Sequence, residues 1–135
     1  MKTLYLTGTV VFLIGIMIVG SQIYGRYDSP PLTQVSIPQA EVVLDSVACC
    51  GLAEGTFHLV NVGSAPLRLQ GVQTDCGCTV AAWSQTPVAA GDTAVVRVRY
   101  DKTDQPGYFR QVIQVDANVA GQTEVVVLRG RVWCE

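Results

Sequence analysis

From Leu4 to Tyr24 the chain runs for 21 residues without a charge, with only Lys2 before it. At about 1.5 Å per residue such a run makes roughly 31 Å of helix, close to the ~30 Å hydrocarbon thickness of a bilayer. It also explains the composition. The 135 residues are 49% hydrophobic and 15% charged, and the apolar excess lies in this run; the remainder of the chain has the length and make-up of about one globular domain. Residues 1–26 are therefore expected to form a single transmembrane anchor. A cleaved signal peptide is the competing reading, since Lys2 is a short positive region and Val19-Gly20-Ser21 a tolerable small-residue exit. The run exceeds the usual 7 to 15 or so residues of a signal-peptide core, and Tyr24 and Tyr27 suit a membrane interface. Lys2 and the terminal amine, set against Arg26 and Asp28, place the amino terminus in the cytoplasm and the rest outside. Gly8 and Gly15, seven residues apart, share a helix face and are candidate contacts for another transmembrane helix.

Residues 27–39, YDSPPLTQVSIPQ, contain Pro30, Pro31 and Pro38. Prolines remove donors and favour extended chain, so this segment is expected to be a short stiff stalk. From Ala40 to Glu135 the chain breaks into short runs rich in valine, leucine and aromatics, punctuated by Gly, Pro, Asn and Asp. Strands are expected over residues 41–48, 56–62, 67–73, 79–84, 93–101, 108–118 and 124–133. Seven strands of this spacing fit an all-β, Ig-like sandwich, with a small barrel as runner-up. The Cys-Trp-Cys core of antibody domains does not fit, because Trp83 follows both Cys76 and Cys78.

The charges from Arg26 onward are eight Lys or Arg against eleven Asp or Glu. A weakly acidic surface without a basic run excludes nucleic acid as the expected partner, since that partner demands many phosphate-neutralising side chains.

Several residues also carry a resemblance: Phe57-His-Leu-Val-Asn61-Val-Gly63-Ser-Ala-Pro66-Leu67, then Cys76-Gly77-Cys78-Thr79, then Pro87-Val-Ala-Ala-Gly91, and Gly107-Tyr-Phe109 with Asn118. In that order they resemble the bacterial domain-of-unknown-function family recognised by its Cys-Gly-Cys-Thr motif. The resemblance covers most of residues 41–132. It implies an Ig-like fold shared with ASH and major-sperm-protein-like domains, a place in the bacterial envelope, and no established activity. With the anchor, it implies a single-pass inner-membrane protein whose carboxy-terminal domain lies in the periplasm. Cys49, Cys50 and Cys134 depart from the family pattern.

If successive strands alternate in direction, Cys49, Cys50, Cys76, Cys78 and Cys134 all lie at one pole of the sandwich, the pole facing away from the membrane. Stapling is the plainest use of such a cluster, because cysteines in an oxidising compartment usually pair. First and last strands of Ig-like folds often run side by side, which makes Cys134 with Cys49 or Cys50 the natural pair. A second bridge could join the other member of Cys49 and Cys50 to Cys76 or Cys78, and one of five thiols must remain over. Thiol redox chemistry at Cys76-Gly77-Cys78 is a second reading; against it, Asp75 is adjacent and no Lys, Arg or His lies within several positions. A soft-metal site at Cys76 and Cys78 is a third, with Cu(I) as the cofactor thiolates select. For the loop itself, Gly77 could simply supply a special backbone conformation.

No other constellation carries chemistry. His58 is mid-strand and opposite in phase to Phe57 and Leu59, as a surface residue would be. The aspartates are scattered over turns. Arg97 and Arg99, with Arg129 and Arg131, alternate outward and could form one basic face, and Trp133 shares the phase of Arg129 and Arg131 as an interface anchor. The expected function is non-enzymatic and needs no cofactor. The chain reads as an accessory or stabilising subunit of a larger membrane complex that binds protein partners, the alternative being a periplasmic thiol-redox or Cu(I)-handling module.

Overall fold

Alternation of apolar and polar residues becomes eight strands in a computed structural model that describes residues 11–17, 30–121 and 123–135. They are β1 (Val35–Ser36), β2 (Glu41–Ala48), β3 (Ala53–Asn61), β4 (Leu69–Thr74), β5 (Thr79–Trp83), β6 (Thr93–Tyr100), β7 (Gly107–Ala117) and β8 (Thr123–Trp133). One sheet has the order β1-β3-β6-β5 and the other β2-β8-β7-β4, so the architecture is a β-sandwich. Period-two patterning drives it. In β3, Phe57 and Leu59 are fully buried while His58 between them is exposed; in β6, Val96 and Val98 are buried while Arg97 and Arg99 are exposed. Facing them from the second sheet are Ile113, Val115, Val126 and Leu128, each fully buried. Each large side chain moved out of water in this way contributes about 1.5 to 3 kcal/mol. Tyr100 and Phe109 stack across the two sheets with ring centroids 4.5 Å apart.

β2 runs parallel to β8, while every other strand pair is antiparallel. Gly130 is what lets β2 lie this close: a Cβ there would meet the Leu44 carbonyl oxygen at 2.6 Å and the Phe109 ring at 2.8 Å. Strand bounds shift from the expected ones for local reasons. β3 begins at Ala53 rather than residue 56, because Ala53 and Gly55 continue the buried phase of Phe57. Leu67 is not part of β4; it forms an isolated antiparallel bridge with Val88, each N–H donating to the other's carbonyl at 2.8 Å.

The expected stalk is corrected over residues 31–39, which belong to the sandwich. β1 pairs with the end of β3, and Thr33 is 5% exposed. The Thr33 N–H donates to the Asn118 carbonyl, and its hydroxyl donates to Asn61 Oδ1 at 2.8 Å. Asn61 is fully buried: Oδ1 also accepts from the Gly63 N–H, and Nδ2 donates to the Ala65 and Val88 carbonyls. Asn118, 2% exposed, accepts from the Arg68 N–H and donates to the Pro31 and Pro66 carbonyls. Both side chains bind loop backbone and are themselves satisfied by it, as buried polar groups must be.

The chain divides into two units, Met1–Pro30 and Pro31–Glu135. In the first, residues 11–17 are helical and exposed, with open space around Gly15. Among the described residues, no helix is long and apolar enough to cross a membrane. The rest of the expected span, Gly8 included, lies outside the described residues.

Candidate functional site

Two features stand apart from the packed core. The first is the cysteine pole. β2, β4 and β8 all end at the pole opposite Asn61 and Asn118, and the residues after them bring all five cysteines there. Parallel pairing sets Ala48 beside Trp133, so the next residue of one strand and the next of the other are bridged: Cys49–Cys134, with Cα atoms 4.7 Å apart. The second bridge is Cys76–Cys78, Cα–Cα 5.2 Å, and Cys50 is an exposed free thiol. The expected cross-link from Cys49 or Cys50 to Cys76 or Cys78 is therefore corrected. β2 and β4 are opposite edges of their sheet, and three strand spacings, about 14 Å, exceed the reach of a disulfide.

Hydrogen bonds hold the Cys76–Cys78 loop from both sides. The Cys76 carbonyl accepts from the Thr74 hydroxyl at 3.0 Å and the Thr79 N–H at 3.4 Å, and the Cys78 carbonyl accepts from the Asp101 N–H at 2.9 Å. Gly77 is outside the left-handed region, and a Cβ on it would meet nothing within 4 Å. The expectation that it supplies a special backbone conformation is thus corrected. Beneath the loop, Gln111 of β7 is 9% exposed, its Oε1 accepting from the Thr79 hydroxyl at 3.1 Å and lying 3.3 Å from Cys76 Sγ. Both sulfurs are bridged, and Cu(I) binds thiolate; among the described residues no group of three or more His, Cys, Asp or Glu could hold a metal ion.

The second feature is the outer face of β2, β8 and β7. Register sets Tyr108 opposite Arg131 and Arg110 opposite Arg129. Arg129 is answered from β2 by Glu41, with Nε to Oε1 at 2.6 Å. Arg131 lies over the Trp133 ring, 3.3 Å from its centroid, and 4.9 Å from that of Tyr108. Tyr108 is 81% exposed and Trp133 48%. A guanidinium held between two rings gains cation–π attraction and loses rotamer freedom before any partner arrives. Val43, Asp45, Tyr108, Arg110, Arg131 and Trp133 line a cleft of about 450 Å³ on this face. Tyr108, Arg110 and Val43 are not singled out by the sequence. Their outward phase is visible in it, but their neighbours depend on strand pairing that phase does not show.

Arg97 and Arg99 do not join this face, which corrects the expectation of one basic surface. They lie on β6 of the other sheet, and the outward faces of two packed sheets point opposite ways. Arg99 pairs locally with Asp101 at 2.7 Å.

The fold is similar to that of a protein of unknown function from Porphyromonas gingivalis W83, at 15% identity and a TM-score of 0.66 over 81% of this chain and 51% of that one. This chain thus spans about half the length of that structure. It is also similar to the ASH/PapD-like domain 7 of human CEP192, at 12% identity and a TM-score of 0.63, covering 79% of this chain and 90% of that domain. The E. coli chaperone DraB matches at 10% identity and a TM-score of 0.52, over 76% of this chain and 56% of DraB. At such identities the likeness is one of fold alone. Among curated proteins no sequence matches. Residues 36–132, however, match a family described as a protein of unknown function, DUF1573, and the chain belongs to that family.

Proposed function

We propose that this protein is a non-enzymatic, protein-binding module of the bacterial envelope, an accessory subunit of a larger membrane complex. Residues 1–26 tether it, and the outer face of β2, β8 and β7 meets its partner. The observation that carries the reading is Arg131 fixed between Tyr108 and Trp133 on an exposed sheet face. Exposed tryptophan, tyrosine and arginine are the side chains most often found as binding anchors. Three arginines, Arg110, Arg129 and Arg131, stand on this face against Glu41 and Asp45, which favours an acidic partner surface. Two disulfides are in keeping with an oxidising compartment outside the cytoplasm.

The test places a photo-crosslinking residue at position 108 or, as control, at position 58 on the other sheet, in cells at native abundance. A discrete protein adduct is expected from position 108 alone, and Arg131→Ala with Trp133→Ala should abolish it while leaving the thermal midpoint within a few degrees. No adduct, or equal adducts from both positions with the protein migrating alone in mild detergent, would overturn the reading.

A further inference from the structure

The Cys76-Gly77-Cys78 loop points to a second activity, independent of the partner face. We infer that its bridge is a thiol–disulfide exchange site: an external dithiol attacks Cys78, and Cys76 leaves toward Gln111. Three observations converge on it. The loop has holds besides its bridge, because Thr74, Thr79 and Asp101 donate to the Cys76 and Cys78 carbonyls and none of these bonds uses a sulfur. Opening the bridge therefore leaves the backbone in place. Next, among the described residues Gln111 Oε1 has one donor, the Thr79 hydroxyl, and lies 3.3 Å from a sulfur that carries no proton while bridged. A carbonyl oxygen accepts two hydrogen bonds, and a Cys76 thiol is placed to supply the second. The acceptor is nearly buried and so gains from that donor. Third, the two sulfurs differ in what they meet. Cys76 Sγ faces Gln111 and, at 3.8 Å, Thr79 Oγ1, whereas among the described residues Cys78 Sγ has no such polar neighbour to receive it as a leaving group, and the Gly77 between them is exposed.

The chemistry balances with a dithiol as reductant. Its thiolate attacks Cys78 Sγ, forming a mixed disulfide and breaking the Cys76–Cys78 bond; Cys76 departs with the electron pair, takes a proton and donates it in a hydrogen bond to Gln111 Oε1. The dithiol's second sulfur then attacks its own partner in the mixed disulfide, and Cys78 leaves as a thiolate that is protonated. Two electrons and two protons pass to the chain, and the dithiol becomes a disulfide. Gln111 acts through Cys76 and is a positioning residue.

The experiment uses the full chain in mild detergent, with Cys50→Ser to prevent reshuffling, equilibrated in mixtures of reduced and oxidised dithiothreitol, acid-quenched, alkylated and mapped by peptide mass spectrometry. Cys76 and Cys78 are expected to open together in mixtures that leave Cys49–Cys134 closed and the circular dichroism unchanged. With oxidised glutathione, Cys78 in a Cys76→Ser chain should form the mixed disulfide at least tenfold faster than Cys76 in a Cys78→Ser chain. Gln111→Leu should move the dithiothreitol midpoint severalfold toward the bridged state, a shift that a purely structural role would not cause. The inference fails if both bridges open only as the domain unfolds, or if the two single thiols react at rates within twofold. The unsubstituted residue 111 suffices for both of those readouts, should Gln111→Leu not fold.

Discussion

Asn61 and Asn118 do for this domain what ladder hydrogen bonds do inside a sheet. Each uses its amide oxygen and nitrogen to hold loop backbone at one pole. Truncating Asn61 takes the partner from the Thr33 hydroxyl and the Ala65 carbonyl in a dry site, while the Gly63 N–H keeps the Gln34 carbonyl and the Val88 carbonyl keeps the Leu67 N–H. Asn61→Ala is therefore expected to cost about 2 to 3 kcal/mol, since two groups are orphaned at once in the interior. Urea unfolding checks it, and a loss below about 1 kcal/mol would show that water replaces the amide. The glycines divide the same way. Gly130→Ala drives a methyl into the Leu44 carbonyl and should cost about 2 kcal/mol or more, since the atom it meets is backbone and cannot swing aside. Gly77→Ala meets nothing and should stay within about 0.5 kcal/mol of the parent by the same measurement. Both asparagines were visible in the sequence as part of an ordered motif. Their role was not, because Asn118 acts on carbonyls up to 87 positions away.

Strand existence was legible throughout Glu41–Trp133, since period-two alternation is a local property of the chain. Strand pairing was less so. Alternation shows that Arg97 and Arg131 point outward but not that they point outward from different sheets, and it cannot reveal that Gln111 and Thr79 meet under Cys76. The two bridges illustrate the difference in energetic terms. Cys49–Cys134 spans 85 positions, and restricting so long a loop in the unfolded chain is worth about 4 to 5 kcal/mol in the entropy account. Cys76–Cys78 spans two positions, for which the same account yields only about 1 kcal/mol. Paired serine substitutions should thus separate: Cys49→Ser with Cys134→Ser lowers stability severalfold more than Cys76→Ser with Cys78→Ser. Equal losses in chemical denaturation would mean that the short bridge is structural after all.

At the scale of the whole molecule, the question is where the folding domain begins. Proline content suggested that the sandwich starts near Ala40, behind a free stalk. Residues 31–39 instead dock on the asparagine pole: the Pro31 carbonyl accepts from Asn118, the Thr33 hydroxyl donates to Asn61, and the Gln34 carbonyl accepts from the N–H groups of Val62 and Gly63. Val35 and Ile37 pack against the core as well. Prolines fit here because the segment is extended and at a sheet edge, where a missing N–H costs nothing. Composition reports extended chain; it does not report whether that chain is docked. A protein starting at Pro31 retains all of these contacts, whereas one starting at Ala40 takes one side-chain partner from each asparagine and the Gln34 carbonyl from two N–H groups, and exposes apolar surface. At about 1 kcal/mol per hydrogen bond, plus the two partly buried side chains, the shorter form should be less stable by about 4 to 6 kcal/mol. That is a large part of the total for a domain of this size. Urea unfolding of residues 31–135 and 40–135 measures it directly. The longer form is expected to unfold cooperatively and the shorter to be largely unfolded or aggregated; equal midpoints would return residues 31–39 to the status of a stalk.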